Sequence, residues 1–108
     1  MNLADLQDVI EHTYGTRDRA RGVPSSVAWL AEEIGELAQA IRKGSVDDQV
    51  HEFADVLAWV ASLANQMDID LTSAIDSIKI ELEILKTYMA RYHPEFAKTY
   101  AALREEAI

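Results

Sequence analysis

Hydrophobic positions recur along the chain at intervals of three and four residues, which is the spacing of amphipathic α-helices. The strict alternation of a half-buried β-strand is absent. Four glycines and two prolines in the whole sequence leave few turn signals. We therefore predict an all-α, four-helix bundle-like fold with a short C-terminal helical tail.

The first helix is predicted from Leu3 to about Thr13, with Gly15 placed to end it. A polar loop is expected to follow. This loop has the highest density of positive charge in the sequence, which makes it the expected contact for an anion, through Arg17, Arg19 and Arg21.

The second helix is predicted to begin after Pro24, with Ser25 or Ser26 as its N-cap, and to end near Lys43. Arg42 and Lys43 lie at the predicted C-terminal end of this helix, where positive charge interacts favourably with the helix dipole. Gly44 is expected to stop the helix in a left-handed conformation.

The third helix is predicted to start with a capping box of Ser45 and Asp48 and to reach about Met67. Nearly every residue in the stretch 53–64 is apolar, so this helix is expected to be buried nearly all round. Asp55 lies within the stretch. An unpaired buried carboxylate costs several kcal/mol, so Asp55 requires a cation or a proton.

The fourth helix is predicted from Leu71 to about Tyr92, because the residue before Pro94 is disfavoured in a helix. Ile80 and Ile84 lie off the apolar heptad seam of this helix, which consists of Leu71, Ile75, Ile78, Leu82, Leu85, Met89 and Tyr92. A second apolar face indicates either a wide core face or contact with another copy of the chain. We expect a homo-oligomer, a dimer or a tetramer. The tail beyond is amphipathic, with Phe96, Tyr100 and Leu103.

Size and charge narrow the classes of function. A chain of 108 residues is expected to form a single domain over 1–108. Nineteen acidic against ten basic residues give a net charge of -9, which argues against nucleic acid as a partner. We expect no membrane partner and a cytoplasmic location, because no apolar stretch is long enough to span a bilayer. The absence of cysteine excludes disulfides and thiolate chemistry.

Acidic residues on the second and third helices form the main candidate site. Glu32, Glu33 and Glu36 share one arc of the second helix, and Glu52 and Asp55 are three apart on the third. Two adjacent antiparallel helices with such pairs can direct four carboxylates at one point. An all-oxygen site of this kind suits Mg²⁺ or Mn²⁺.

Two alternatives to a metal site stay open. The acids of the second helix form an acidic surface, or the buried acids pair with an arginine or lysine of a neighbouring helix. From Glu32 to Asp55 there are seven acids and only Arg42 and Lys43 as bases, which favours the metal site. We interpret His51, near a helix start, as a surface residue.

The acid pattern resembles that of the MazG-type all-α nucleoside triphosphate pyrophosphohydrolases, over about residues 17–76. Residues 32–36 carry E-E-x-x-E and residues 52–55 carry E-x-x-D, both within apolar surroundings. The resemblance implies Mg²⁺-dependent hydrolysis of nucleoside triphosphates to monophosphate and pyrophosphate, often of noncanonical nucleotides in a house-cleaning role. It implies that Glu32 assists as a water-orienting base or outer group, while the metal ligands are Glu33, Glu36, Glu52 and Asp55.

Basic and aromatic side chains near these acids are the candidates for substrate contacts. The outer phosphates are expected to lie against Arg17, Arg19 or Arg21, with Lys79 as a second candidate. A base pocket lined by Trp29 and Trp59 is one interpretation, and burial in the core is the other.

The resemblance weakens beyond residue 76, where the chain has Lys79, Glu83 and Lys86 but no asparagine on the fourth helix. The preferred base and sugar therefore stay open. A phosphoribosyl-ATP pyrophosphohydrolase shares the acid motif and is an alternative. A noncatalytic helical oligomerisation or binding module is the alternative from another class.

Overall fold

A computed structural model describes residues 1–107, except for the side chains of Ala97, Tyr100 and Ala107. The expected place of Tyr100 on the tail therefore lies outside the described part. The described residues form five α-helices and no strand, which confirms the all-α prediction: α1 (Leu3–Arg21), α2 (Val23–Lys43), α3 (Val46–Gln66), α4 (Leu71–Tyr92) and α5 (Pro94–Ala107).

The chain divides into two compact units, residues 1–73 and the part from Ala74 onward. In the first unit α3 packs against both α1 and α2. Its buried apolar core is small and consists of Ile10, Ala40, Ala61 and Ala64. Four polar side chains are buried with them, namely Gln7, Asp18, Ser26 and Ser62. Hydrogen bonds among polar groups therefore hold much of this interior together.

Helix α1 is longer than the sequence pattern predicted. It continues through Gly15, and its C-cap is Gly22, which has the positive φ of 88° that favours glycine. At Gly15 a Cβ atom would lie 2.8 Å from the carboxylate of Glu11, so this glycine leaves room for a side chain and does not end the helix. The predicted polar loop was wrong, because α1 itself carries Arg17, Arg19 and Arg21.

Helix α2 begins differently from the prediction. Its N-cap is Gly22, and no side chain caps it, so the predicted serine cap was wrong. Ser26 is instead fully buried, where its hydroxyl accepts a hydrogen bond from Gln66 Nε2 at 3.0 Å. At the other end Gly44 has φ −94° and ψ 169°, which is extended and not left-handed. Gln49 Nε2 donates to the Ala40 carbonyl at 3.2 Å and so occupies one acceptor of the last turn.

Helix α3 starts as predicted but is less buried than predicted. Ser45 Oγ accepts from the Asp48 N–H at 3.1 Å, and the Asp48 carboxylate accepts from the Ser45 N–H at 3.0 Å, which confirms the capping box. Phe53 and Leu57 are about half exposed, so the expectation of burial nearly all round was wrong. Only the side of α3 that faces α1 and α2 is covered; Ser62 lies on that side.

A hydrogen-bonded junction joins the turn after α3 to α1. Gln7 Nε2 donates to Asn65 Oδ1 at 3.0 Å and to the Ile69 carbonyl at 2.8 Å. Gln7 Oε1 accepts from the Leu71 N–H at 2.9 Å. The Asn65 amide donates back to the Gln7 carbonyl at 3.0 Å. One buried amide of α1 therefore fixes the start of α4.

The second unit contains most of α4 together with α5. No residue of α4 is buried. Five of the seven residues of the predicted seam line an apolar groove of about 850 Å³ together with Phe96 of α5, namely Ile75, Ile78, Leu82, Leu85 and Met89. Ile80 and Ile84, on the other side of α4, are 60% and 65% exposed. Both predicted apolar faces of α4 are therefore present and accessible within the described chain.

Among the described residues, none of the helices has the length and hydropathy that crossing a bilayer requires.

Candidate metal and substrate site

Two glutamates of α2 and one of α3 come together where these helices pack. One carboxylate oxygen from each of Glu33, Glu36 and Glu52 lies within 4.8 Å of the other two. The three-residue spacing on α2 places its two acids on one face. The turn of Gly44 and Ser45 then returns the chain, so that α3 presents Glu52 to that face.

A second group of possible ligands shares Glu52 with the first. His51, Glu52 and Asp55 each offer an atom within 4.8 Å of the others. His51 Nε2 lies 3.2 Å from Asp55 Oδ2 across one turn of α3. The four acids that the resemblance implied as metal ligands are thus joined through Glu52. Glu32 lies outside both groups and is exposed.

The electrostatics of this acid cluster are unfavourable without a cation. The Oε2 atoms of Glu33 and Glu52 are buried, and among the described residues no group donates a hydrogen bond to them. Burial raises the pKa of Glu33, and the negative charges of Glu36 and Asp55 raise it further. The pKa of Glu52 is raised by the same three causes. Each shift reports a carboxylate whose ionised form is disfavoured where it lies.

The ion-pair alternative finds no support in the part of the chain whose side chains are described. There, none of the four acids pairs with a lysine or an arginine, and only His51 lies within ion-pair distance of one of them. Carboxylate oxygens are the ligands that hard divalent cations prefer. The buried unpartnered oxygens of Glu33 and Glu52 therefore fit a divalent metal ion.

A cavity of about 260 Å³ adjoins the acid cluster at Asp55. Arg17, Arg21 and Trp59 contribute to its walls. The guanidinium carbon of Arg21 lies 4.8 Å from the centre of the Trp59 ring, a cation–π contact. Arg19 does not line the cavity, because it lies elsewhere on α1 and pairs with Glu11. The structure thus brings two of the three predicted arginines to one cavity.

The two tryptophans lie against each other beside the acids. The ring centres of Trp29 and Trp59 are 6.0 Å apart, and their planes differ by 6°. Trp29 is 45% exposed and Trp59 is partly exposed, so neither is a fully buried core residue. Lys79 lies on α4 in the second unit, and its contact with substrate stays a prediction.

Comparison with known families identifies the acid-bearing part of the chain. Residues 21–82 match the MazG nucleotide pyrophosphohydrolase domain. This stretch is more than half of the 108 residues and contains all of α2 and α3. The chain belongs to the MazG nucleotide pyrophosphohydrolase family. No curated protein and no solved structure shows a match to it.

Sequence reasoning missed two side chains at the site of this MazG protein. His51 was assigned to the surface; it is exposed, but it also contacts Asp55. The four-residue spacing between the two was the signal that could have found it. Asp18 was passed over because the loop prediction hid its place on α1, where it is buried and pairs with Arg21 at 2.9 Å.

Proposed function

We propose that this MazG protein hydrolyses nucleoside triphosphates to nucleoside monophosphate and pyrophosphate, with Mg²⁺ or Mn²⁺ as its metal. Noncanonical or deoxy nucleotides in a house-cleaning role are the proposed substrates. One observation carries the proposal: Glu33, Glu36 and Glu52 converge, and among the described residues no group donates to a buried oxygen of Glu33 and one of Glu52, in a chain of a nucleotide pyrophosphohydrolase family. A bound divalent cation explains four clustered acids that pair with no lysine or arginine among the described side chains.

The metal ligands in this proposal are Glu33, Glu36, Glu52 and Asp55. A divalent ion bound there supplies charge neutralisation for phosphate oxygens and a lower pKa for a bound water. Each of the four carboxylates contributes a negative oxygen ligand and loses its repulsion from the others when the ion binds. His51, through its contact with Asp55, fixes the orientation of that carboxylate.

Other residues of the chain bind and orient the reactants. We assign to Glu32, which is exposed on α2 one turn before Glu36, the role of accepting the proton of the attacking water. The water oxygen forms the new bond to phosphorus, and the bond from that phosphorus to the pyrophosphate oxygen breaks. Arg21 and Arg17 hold the outer phosphates by charge-assisted hydrogen bonds, because both line the cavity next to Asp55.

The nucleobase is proposed to bind at the tryptophan pair. Trp29 and Trp59 present nearly parallel rings next to the acids, and aromatic faces bind bases by stacking. Because Arg21 lies over the Trp59 ring, this placement brings the base and the outer phosphates to adjoining parts of one site.

We propose in addition that the protein is a homo-oligomer. The exposed apolar faces of α4 support this, because patches of this kind mark interaction surfaces. The net charge of -9 supports the absence of a nucleic-acid partner. The cytoplasmic location stays a prediction.

A nucleotide panel tests the proposed activity. Purified protein is incubated with canonical, deoxy and noncanonical nucleoside triphosphates and with phosphoribosyl-ATP, each with Mg²⁺, Mn²⁺ or chelator, and pyrophosphate and orthophosphate are scored separately. We expect metal-dependent release of pyrophosphate from at least one nucleoside triphosphate. Turnover of phosphoribosyl-ATP alone would assign the biosynthetic alternative. Release of orthophosphate alone would count against the pyrophosphohydrolase, and no turnover at all would favour the noncatalytic module.

A further inference from the structure

Asp18 is a buried carboxylate that the proposed chemistry leaves without a role. It is 5% exposed, lies on α1 and belongs to neither group of possible metal ligands. Both of its oxygens are occupied. Oδ1 accepts a hydrogen bond from Arg21 Nη1 at 2.9 Å, and Oδ2 accepts one from Ser62 Oγ at 2.6 Å.

A chain of hydrogen bonds also holds this carboxylate through its Oδ2 atom. Ser62 of α3 is 4% exposed, and its hydroxyl accepts from Gln66 Nε2 at 3.1 Å. Gln66 Nε2 also donates to Ser26 Oγ of α2 at 3.0 Å. The orientation of Asp18 is thus fixed by groups from all three helices of the first unit, and buried networks of this kind hold their members rigidly.

Arg21 is the cationic member of this network, and it lines the cavity together with Asp18 and Ser62. Its side chain is 22% exposed, with the guanidinium carbon 4.8 Å from the centre of the Trp59 ring. A guanidinium has five N–H donors, and Asp18 takes one of them in the structure. The remaining donors are available to an anion that enters the cavity.

The nearby carboxylate of Asp55 gives the pair of Asp18 and Arg21 its importance. Arg21 and Asp55 line the same cavity, and an unrestrained guanidinium is attracted to the nearest carboxylate. Pairing with Asp55 would remove a metal ligand and a phosphate contact together. Asp18, which lines the same cavity and already binds Arg21, competes with Asp55 for the guanidinium.

We propose that Asp18 is a positioning residue, which fixes the guanidinium of Arg21 against Trp59 as a contact for the pyrophosphate part of the substrate and keeps it from Asp55. This inference rests on the proposed function. It assigns Asp18 no contact with substrate; its action passes through Arg21.

The position of Arg21 can be tested without any turnover. The sequence has two tryptophans, so in a Trp29→Phe background the fluorescence reports Trp59 alone. In that background we expect Asp18→Asn to shift the emission and to increase quenching by added iodide, because the guanidinium leaves the ring. The matched control is Glu11→Gln, which breaks the other arginine–carboxylate pair of α1, with Arg19, and is expected to change neither signal.

The proposed contact between Arg21 and the pyrophosphate part of the substrate is tested by binding measurements. Inorganic pyrophosphate and a nucleoside monophosphate are compared as ligands, each with Mg²⁺. We expect Asp18→Asn to weaken pyrophosphate binding by roughly tenfold, the loss of about one charge-assisted contact, while monophosphate binding changes less than about twofold. Where the enzyme turns over, KM for the triphosphate rises by a similar factor and kcat changes less. In an Arg21→Met background, Asp18→Asn adds no further loss, since it acts only through Arg21.

Additive losses in the double variant, or equal losses for pyrophosphate and monophosphate, would overturn the positioning role. If Asp18→Asn does not fold, Ser62→Ala decides, because it removes one of the two anchors and keeps the carboxylate. We expect it to change fluorescence and pyrophosphate binding in the same direction by a smaller factor, and no change in either would overturn the proposal. Failure of the parent to release pyrophosphate from any nucleotide would instead refute the proposed activity, and the fluorescence result would still stand for Arg21.

Discussion

Glu33 of α2 and Glu52 of α3 place carboxylate oxygens within 4.8 Å of each other, and each has one buried oxygen without a hydrogen-bond donor among the described residues. Burial and the nearby charges raise the pKa of both. Two ionised groups so placed oppose folding unless a cation lies between them. The proximity of these two carboxylates is therefore expected to lower the stability of the metal-free chain and to raise its affinity for a divalent ion.

Glu36→Gln keeps the shape of a side chain in this cluster and removes its charge. Loss of a residue that only hydrogen-bonds to a metal ligand typically lowers metal affinity or activity by about 10- to 100-fold. Because Glu36 is a proposed ligand itself, we expect activity to fall by more than about a hundredfold. Unfolding in chelator is expected at the same temperature as for the parent or higher, because one repulsive charge is gone. Turnover assays and thermal melts measure the two effects. Asp8→Asn, an exposed acid on α1 outside the cluster, is the control and is expected to change neither. Full activity of Glu36→Gln would remove this residue from the site.

The raised pKa values of Glu33 and Glu52 give a pH dependence of defined sign. Below the ordinary glutamate value of about 4.3 both groups are protonated in the folded and the unfolded chain, and their stabilising contribution is complete. That contribution is lost as the pH rises through the raised folded values. In chelator we expect the melting temperature of the parent to fall, relative to the Glu33→Gln/Glu52→Gln variant, as the pH rises above about 4.5. The capping carboxylate Asp48, whose pKa the Ser45 N–H lowers, is present in both proteins and cancels.

With saturating Mg²⁺ we expect the opposite pH dependence of the difference in melting temperature between the parent and this double variant. The ion binds the ionised carboxylates, so the parent is expected to gain stability over the variant as the pH rises toward 7. Melting curves that run parallel for parent and variant under both conditions would show that the two glutamates are uncoupled from folding.

Asp55→Asn separates the metal site from an ion pair. In the structure the ion-pair partner of Asp55 is the exposed His51, and pairs of this spacing contribute about 0.3–0.5 kcal/mol. We therefore expect stability in chelator to be nearly unchanged. For the parent, Mg²⁺ at a hundredfold excess over its dissociation constant is expected to add about 2.7 kcal/mol, and the variant is expected to lose most of this gain and its activity. A loss of about 3–5 kcal/mol in chelator, with no Mg²⁺ effect on the parent, would point to a buried ion pair.

The second apolar face of α4 gives an expectation for oligomeric state. Ile80→Glu with Ile84→Glu puts two charges on that exposed face. We expect light scattering to show an oligomer for the parent and a smaller species for the variant, with unchanged helix content by circular dichroism. Glu81→Lys, on the flank between the two apolar faces, is the control and is expected to keep the oligomer. A parent that is monomeric and fully active at micromolar concentration would contradict the expectation.

Local sequence signals predicted some features of the fold correctly and misplaced others. The capping box of Ser45 and Asp48 was predictable because its hydrogen bonds join residues three apart. The loop predicted after Gly15 was wrong because a glycine inside a helix cannot be distinguished in the sequence from a glycine that ends one; in the structure α1 continues to Arg21. Ser26 was predicted as an N-cap because it follows Pro24 near the start of α2. Its actual hydrogen-bond partner, Gln66, is 40 residues away and leaves no local signal in the sequence.

At the candidate site the meeting of the acids could be predicted from the sequence, and the partners of the arginines could not. The spacing of Glu33 and Glu36 on one helix and of Glu52 on the next was enough to predict that they meet. The roles of the arginines were not predictable, because the partner of each depends on which side of α1 it occupies. Arg19 pairs with Glu11, while Arg21 pairs with Asp18 and lies on Trp59.

The amide of Gln7 has a consequence for the dynamics of the chain. The N–H of Leu71 belongs to the first turn of α4, where an N–H has no acceptor within its own helix, and Gln7 accepts it from 64 residues earlier. This hydrogen can exchange with solvent only when the Gln7 side chain moves away. Its exchange rate therefore follows the opening of α1, and α1 and the first turn of α4 are expected to open together as one cooperative segment.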